Sequence, residues 1–430
     1  MSVQLIICLV IFVLTLVSFI LNKIPLWVTA MASMGLLYLT GCLTSTEALS
    51  GFGNSNTIVL VGMLLVAAGF QKSSFVDKLC DKVISLAGGS FTKAYAVYII
   101  LAVLLANFIS SPVACYTIIC PLIASLCDRM GVKRSKVMFP AMVTVVGTCG
   151  VLPLATAVQQ AAQATGFLAA YGFDIEMSAM DYFIGMWPML LIIPLWAIFI
   201  GPRQTPEIEM DKAVVSQVAG RKIGGNGLSK FQDIAAPVIF FADLIALIFA
   251  NQIGLEVWFI AFAGGLLMIL TGVLDPKTCM KNIAWDMVLL YVGSLALGTA
   301  LSSTGAGDVV GSLVSRLVGG TTNNYILGAV FFLVPFIITQ FMLNRAVIAV
   351  FTPICLMTCQ AMGANPVGLV VLVAAGSLTA FLTPMATPAV PVAMEQGGYS
   401  LKQLLSSGWL ITILISLVYI FYTMTVLPAF

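Results

Sequence analysis

The tetrapeptide Val61-Gly62-Met63-Leu64 returns 231 residues later as Val292-Gly293-Ser294-Leu295. Two further pairs of segments share this offset: Leu39-Thr40-Gly41 with Leu270-Thr271-Gly272, and Pro153-Leu154-Ala155-Thr156 with Pro384-Met385-Ala386-Thr387. Apolar helices of similar composition would give scattered leucine and valine matches. They would not repeat glycine, proline and threonine at one spacing over such a distance. The sequence therefore predicts an internal duplication.

The composition shows which solvent surrounds the duplicated chain. Of 430 residues, 60% are hydrophobic and 8% are charged, whereas a soluble domain carries roughly 25% charged residues. Lipid must be the main solvent, with apolar sequence for roughly a dozen transmembrane helices of about 20 residues each. A net charge of +2 gives no basis for a nucleic-acid partner. Because the chain has no histidine, a His-ligated metal and a Ser-His-Asp triad are excluded. We expect no enzyme activity and no cofactor beyond a coupling ion.

Apolar segments interrupted by helix breakers are typical of secondary transporters with internal repeats. Glycine and proline interrupt two long apolar runs, 137–171 and 366–394. Proline removes a helix hydrogen bond, and the freed carbonyls must find partners away from lipid, in a cavity or an ion site. In addition, a short apolar piece follows a full span at two places. These pieces predict re-entrant hairpins at about 107–130 and 340–362.

These features predict an all-α polytopic membrane protein built from two inverted repeats. The first half covers 1–201, a cytoplasmic linker covers 202–231, and the second half covers 232–430. Six full spans in each half would give both halves the same orientation, so an inverted repeat needs one segment that fails to cross. The weakest segment is 234–250, which carries Asp243, and this choice gives about 11 transmembrane helices. The distribution of lysine and arginine predicts a cytoplasmic N-terminus.

The two predicted hairpins align with each other at a proline. Aligning Pro121 with Pro353 pairs the residues of their tips: Ser111 with Leu343, Pro112 with Asn344, and Val113 with Arg345. The chain thereby resembles the divalent anion:sodium symporter family of the ion transporter superfamily. In that family a Ser-Asn-Thr/Val tip lies ten residues before a proline, and Ser111 lies at that distance from Pro121. The family also has Thr-Pro-rich breaks in two helices, similar to those at Thr156 and Thr387.

The resemblance implies an architecture and a place for ions. An elevator-type transport domain that carries the hairpins would move against a scaffold, and the protein would be a homodimer in a bacterial inner membrane. The sodium ligands implied by the resemblance are Ser111, Asn344, Ala155 and Ala386. The chain departs from the family tips at Pro112, Leu343 and Arg345. Two polar ligands are thereby lost, which weighs against coupling to two or more sodium ions.

Arg345 is the charged residue of the second hairpin tip. An arginine in a membrane-embedded segment costs about 2.5–3.5 kcal/mol even on the lenient insertion scale. One interpretation is that its guanidinium faces a cavity and binds a carboxylate bidentately, replacing the positive charge of a sodium ion. The other interpretation is snorkelling, or a salt bridge to a structural acid such as Glu395.

Other polar residues of the hairpins and breaks are candidate substrate ligands: Ser110, Ser111, Asn344, Thr156, Thr387, Gln159 and Gln160. Gln159 and Gln160 follow the first break and could either donate to an anion or join helices by hydrogen bonds. Thr156 and Thr387 could offer hydroxyls to an ion or substrate. Asn107, which precedes the first hairpin, fits a structural amide as well as a ligand.

The predicted function is secondary active transport of a small anion by alternating access with sodium symport. Di- or tricarboxylates, or a related oxyanion, are the expected substrates. The alternative is a sodium-independent exchanger or uniporter in which Arg345 replaces a sodium charge. A channel fits less well, because duplicated broken helices are a transporter feature.

Overall fold

The computed structural model describes the following parts of the chain: 3–21, 23–75, 78, 90–109, 112–208, 228–249, 253–277, 283, 285–317, 321–340, 344–383, 386–387 and 389–430. Within these ranges the chain forms helices and no strands. Ser110, Ser111 and most of the predicted linker lie outside them. The all-helical class predicted from the sequence is confirmed for the described residues.

The described helices fall on both sides of the predicted linker. Those before it are α1 Val3–Leu21, α2 Leu26–Leu39, α3 Ser45–Leu49, α4 Ser55–Lys72, α5 Phe91–Phe108, α6 Pro112–Met130, α7 Met138–Gly147, α8 Ala155–Ala170, α9 Ala179–Met186 and α10 Met189–Gln204. Those after it are α11 Lys230–Ile248, α12 Val257–Leu270, α13 Trp285–Thr304, α14 Ala306–Leu317, α15 Asn324–Thr339, α16 Asn344–Met362, α17 Val367–Leu378, α18 Ala389–Gly397 and α19 Leu401–Val426.

The helices pack in two groups. In the first group α4 lies against α12, and α13 lies against α2, while α1 and α11 pack beside them. In the second group α5, α6 and α7 pack together, and α15, α16 and α17 do the same. The groups meet where α8 lies against α4 and α13. A cavity between the two groups is therefore bounded by helices from both halves of the chain.

Two glycines let helices of the first group touch along their backbones. A Cβ on Gly62 of α4 would lie 2.4 Å from the carbonyl oxygen of Ala261, and one on Gly293 of α13 would lie 2.6 Å from that of Ala30. The two alanines, like the two glycines, are 231 residues apart. The contact is therefore reciprocal, with the glycine of each half meeting the alanine of the other. In lipid, close packing of this kind is a main source of helix association.

Two helices are interrupted within apolar sequence. α7 ends at Gly147 and α8 begins at Ala155, while α17 ends at Leu378 and α18 begins at Ala389. Gly150 lies in the first break with φ of +76°, in the left-handed region that favours glycine. The prolines of the second break, Pro384 and Pro388, lie outside the described residues. Short connections of similar length join α5 to α6 and α15 to α16, so each hairpin tip directly follows a helix.

Length and composition identify few uninterrupted membrane spans. Among the described residues, α5, α16 and α19 are long and apolar enough to cross a bilayer, and the pair α9 and α10, bent by 50°, could form a fourth span. The remaining apolar helices are shorter, because breaks and tight turns divide the apolar runs. The count of about 11 spans remains a prediction. The segment singled out as non-crossing is the single helix α11, whose Asp243 is buried.

We predict that glycine at position 62 stabilises the protein because it has no side chain to keep the two helix backbones apart. Gly62→Ala should destabilise the protein by about 1–3 kcal/mol, as overpacking does, because the added Cβ meets the backbone of Ala261. Gly35→Ala is the matched control, since a Cβ on this helical glycine of α2 meets nothing within 4 Å. It should be neutral or mildly stabilising. Melting temperatures in detergent would measure both, and equal values for the two variants would contradict the contact.

Candidate functional site

A cavity of about 630 Å³ opens between the two groups of helices. Its wall comes from α6, α8, α13 and α16, together with the segments before α2 and α18. The lining residues are Pro25, Leu26, Trp27, Pro112, Val113, Cys149, Thr156, Gln159, Gln160, Gln163, Phe167, Asp286, Leu290, Tyr291, Ser294, Asn344, Arg345, Ile348, Ala349, Leu378, Ala386 and Thr387. Amide, hydroxyl and guanidinium groups thus share one enclosed space with apolar side chains, as in a small-molecule site.

The helices α6, α8, α16 and α18 begin at this cavity, beside the first residues of α2 and α13. Pro112 is the first residue of α6, Thr156 the second of α8, and Asn344 the first of α16, while Thr387 lies two residues before α18. The N-terminus of a helix carries a partial positive charge and unpaired N–H groups. Several such ends in one cavity favour an anion there. The chain obtains this positive potential without a cluster of basic residues.

Arg345 lines the cavity and is paired with an acid that sequence reasoning did not select. Its Nη1 donates to the Asp286 carboxylate at 3.1 Å, and the two side chains are 44% and 60% exposed. The suggested partner Glu395 was therefore wrong: Asp286 begins α13 opposite the hairpin tip, and α18 carries Glu395 elsewhere. The pair uses one of five guanidinium donors, and within the described residues no other hydrogen bond of this guanidinium is present.

After the first break, Gln159 is buried and Gln160 is half-buried, and each has a buried side-chain atom without a hydrogen-bond partner among the described residues. Gln159 is 4% exposed, and its Nε2 has no hydrogen-bond partner among the described residues. The Oε1 of Gln160 is likewise unpaired within that part of the chain. A buried unpaired polar atom costs about 1–3 kcal/mol. Both side chains line the cavity, so a ligand there could satisfy them.

The other predicted residues take different positions. Thr387 and Ala386 line the cavity, whereas Ala155 is buried beside Thr156 and is absent from the lining. Asn344 lines it too, with Oδ1 3.0 Å from the Thr339 hydroxyl. Asn107 is fully buried and is not a lining residue. Ser110 and Ser111 lie outside the described residues, directly before the first lining residue of α6.

Sequence reasoning missed four polar contributors to this wall, namely Asp286, Gln163, Tyr291 and Ser294. Asp286 stands at the start of an apolar helix, and its charge in a chain with so few charges was the available signal. Gln163 lies one turn after Gln159 on the same helix. Tyr291 donates to the carbonyls of Ala162 and Gln163 at 3.2 and 3.3 Å, and this cross-helix contact between α13 and α8 has no sequence signal.

Broken helices, hairpin tips and one guanidinium that converge on a polar cavity define a helical membrane carrier. The chain belongs to the sodium:sulfate symporter family, since the family model for the "Sodium:sulfate symporter transmembrane region" matches residues 1–427. The resemblance noted in the sequence is thereby confirmed. The family and the named relatives are transporters, not enzymes. Family membership and the apolar helices identify an integral membrane protein.

Similar proteins have been described in bacteria and plants. A transporter of Haemophilus influenzae is 20% identical over 397 residues, which cover 90% of this chain and 84% of that protein. The putative malate transporter YflS of Bacillus subtilis is 24% identical, covering 69% and 63%. The chloroplastic dicarboxylate transporter 1 of Spinacia oleracea is 25% identical, covering 73% and 56%. The matched region spans 26% of a longer Synechocystis transporter.

Two solved structures share the fold. The Neisseria gonorrhoeae MtrF structure has a TM-score of 0.64 at 14% identity and covers 98% of this chain and 94% of its own. The Alcanivorax borkumensis YdaH transporter has a TM-score of 0.63 at 14% identity, with 91% and 88% covered. At this identity the likeness concerns the arrangement of helices alone.

We predict that Gln159 holds its buried donor for a ligand. Gln159→Met should leave the melting temperature unchanged or raise it, because an unpaired buried donor is removed. The same variant should weaken stabilisation by a dicarboxylate roughly tenfold in apparent Kd, the loss expected for a hydrogen bond to a charged group. Gln360→Met, on an exposed residue of α16, is the control. Unchanged ligand affinity in Gln159→Met would assign the residue to helix packing.

Proposed function

We propose that the chain is a secondary transporter of small dianions, with dicarboxylates as the favoured substrates, and that it works by alternating access. The observation that carries this proposal is the convergence of the N-termini of α6, α8, α16 and α18 with Arg345 on one cavity. The names of the Bacillus and Spinacia relatives, a putative malate transporter and a dicarboxylate transporter, support the substrate class. Sulfate, from the family's description, is the related oxyanion to compare.

The cavity fits a dianion with two separated charges. The guanidinium of Arg345 can receive one carboxylate in a two-pronged hydrogen bond, while the helix ends at Thr156 and Thr387 face other parts of the cavity. Gln159 can donate to a second anionic group from its unpaired nitrogen. An anion bound in this way satisfies groups that otherwise stay unpaired.

Asp286 is the internal competitor for this anion. Its carboxylate accepts a hydrogen bond from Arg345 Nη1 at 3.1 Å, and it would repel a dianion that arrives at the same guanidinium. The pair is half exposed, and such pairs are worth only about 0–1 kcal/mol. A substrate carboxylate can therefore displace Asp286 at small cost.

Arg345→Gln tests the anion site directly. We expect the apparent affinity for succinate or malate to fall at least tenfold, since a charged hydrogen-bonded contact is worth about 1.5–3 kcal/mol. Uptake into proteoliposomes and thermal stabilisation by the anion would measure the loss. Arg316→Gln, which removes an exposed arginine of α14 outside the cavity wall, is the matched control. Equal transport by Arg345→Gln and wild type would refute the proposed anchor.

Asp286→Asn should act in the opposite direction. Removing the competing carboxylate should improve the apparent dianion affinity by up to about fivefold, the equivalent of roughly 1 kcal/mol. In an Arg345→Gln background the same substitution should give no gain, because the two residues act on one contact. A double-mutant cycle on anion stabilisation would show this coupling. Additive effects would mean that Asp286 does not compete at Arg345.

The finer architecture belongs to the same proposal. Inverted repeats are supported by the reciprocal contacts of Gly62 and Gly293, and a scaffold is supported by the separate packing of α2, α4, α12 and α13. On this basis the group that carries both hairpins would be the moving, elevator-type domain. A homodimer, a cytoplasmic N-terminus and a bacterial inner membrane complete the proposal.

Two forms of coupling have support. Sodium symport is favoured by the family's description and by a sodium-dependent high-affinity dicarboxylate transporter of Caenorhabditis elegans, 21% identical over 443 residues. Sodium-independent exchange is favoured by Arg345, whose permanent charge lines the cavity where a coupling cation would balance the anion. The first form needs a sodium site among these residues. The second needs none.

Replacement of sodium by choline distinguishes the two forms of coupling. Under symport, uptake of labelled succinate should collapse in choline chloride. Under exchange, uptake should be indifferent to the cation and should accelerate when unlabelled succinate is loaded inside the vesicles. Empty liposomes and Arg345→Gln proteoliposomes provide the background. Uptake of none of the tested dianions under either condition would overturn the transport proposal.

A further inference from the structure

Asn107 makes an unusual set of hydrogen bonds at the first helix break. Its Nδ2 donates to the carbonyl of Val103 at 2.8 Å and to that of Thr148 at 3.0 Å. Its Oδ1 accepts from the backbone N–H of Leu152 at 2.8 Å. In an unbroken helix Thr148 and Leu152 would bond to each other, since they are four residues apart. The side-chain amide is inserted into that missing bond.

Gln340 makes the same set of bonds at the second break. Its Nε2 donates to the carbonyl of Phe336 at 3.0 Å and to that of Thr379 at 3.1 Å. Its Oε1 accepts from the backbone N–H of Leu382 at 3.0 Å. In each half, therefore, an amide beside the hairpin reaches back one turn along its own helix and also bridges a carbonyl and an N–H group of the break, which are four residues apart in the first break and three apart in the second.

Both amide residues are fastened to the breaks a second time through their own carbonyls. The carbonyl of Asn107 accepts from the Thr156 hydroxyl at 3.2 Å, and the carbonyl of Gln340 accepts from the Thr383 hydroxyl. The amide residues are nearly inaccessible, with exposures of 0% for Asn107 and 5% for Gln340. Hairpin and broken helix are thus joined by several hydrogen bonds between buried and partly buried groups.

The chemistry of the bridge suits an amide. Its N–H donors and its C=O acceptor can satisfy the freed carbonyl and the freed N–H together. A metal cation could accept the lone pairs of a freed carbonyl but could not satisfy an N–H group. The carbonyl of Thr148 already accepts a hydrogen bond from Asn107 Nδ2, together with a long 3.4 Å bond from the backbone N–H of Val151. The buried carbonyl of Thr379 likewise accepts a hydrogen bond from Gln340 Nε2.

We propose that Asn107 and Gln340 are positioning residues that take the place of cations at the two helix breaks. Each amide nitrogen donates to one carbonyl of its break, Thr148 or Thr379, where a cation could otherwise be held, and each amide fixes its hairpin to the break. Hairpin and break then form one body, which keeps the helix ends at Thr156 and Asn344 aimed into the cavity. This inference rests on the proposed function. It favours the sodium-independent form, because amides rather than sodium ions would stabilise the two helix breaks.

Isosteric acids test this role. Asn107→Asp and Gln340→Glu keep the acceptor oxygen but replace the donor by a second oxygen. In choline chloride at pH 8 each variant should melt several degrees below wild type, because a carboxylate faces a carbonyl. Sodium should restore much of this loss, since carboxylate and carbonyl oxygens together can coordinate it. At pH 5 the loss should shrink, since a protonated acid can donate one hydrogen bond and a carboxylate none.

Asn323→Asp is the matched control for the acid variants. Asn323 caps α15. The hydrogen bonds of this cap are accepted by its Oδ1, from the N–H groups of Tyr325 and Ile326 at 2.9 and 3.4 Å. An aspartate can accept these bonds equally well. This variant should therefore show neither the loss of stability nor the new response to sodium and acid. Wild type should melt at the same temperature in sodium and in choline.

Two results would overturn the inference. One is saturable stabilisation of wild type by sodium that equals or exceeds that of the acid variants. The other is acid variants that respond to sodium and pH no more than Asn323→Asp does. If neither acid variant folds, the wild-type comparison in sodium and choline decides alone. These measurements need no substrate, so a failure of dianion uptake would refute the proposed function and leave this inference standing.

Discussion

The constraint on which this structure depends is the supply of partners for backbone groups freed inside a membrane. A helix that breaks in apolar surroundings leaves carbonyl and N–H groups that water cannot satisfy, and each such group costs several kcal/mol in hydrocarbon. The chain breaks two helices in this way, between Gly147 and Ala155 and between Leu378 and Ala389. At each break a residue beside a hairpin supplies a side-chain amide. The position of the hairpins is therefore tied to the position of the breaks.

The breaks also explain how so apolar a chain can attract an anion. A continuous helix ends at the membrane surface, whereas a broken one starts again within the protein and places a positive end there. The helices that begin near Thr156 and Thr387, and the hairpin arms that begin at Pro112 and Asn344, share one cavity. One guanidinium, Arg345, then suffices as a full charge. The cost of a buried charge cluster is avoided.

The sequence was informative about features that rest on rare residue types. It was uninformative about contacts that form only when distant parts of the chain pack together. The scarcity of charge and the repeated Gly, Pro and Thr residues were enough to predict a helical membrane protein of this family with interrupted apolar runs. They also singled out Arg345 as the charged residue of a hairpin tip. The partner of Arg345 could not be found, because Asp286 is 59 residues away along the chain and only packing of α13 beside the tip joins them. Asn107 stayed undecided between ligand and structural amide, since two of its three side-chain partners, Thr148 and Leu152, lie in a break that is distant along the chain. Its equivalence to Gln340 was hidden by a difference of one methylene in length.

The difference between an amide and a cation matters for coupling because a cation can leave. A carrier that needs an ion to complete its hairpin and break is incomplete without it, and the ion's gradient can then drive the cycle. A covalently attached amide cannot leave, so on this proposal it would complete the same contact throughout the cycle and would not transmit an ion gradient. On the proposed role of Asn107 and Gln340, the variable partner in the cavity is the anion itself, which replaces Asp286 on Arg345. An empty carrier then holds a paired guanidinium and a loaded one holds substrate, and the driving force is the gradient of the anions being exchanged.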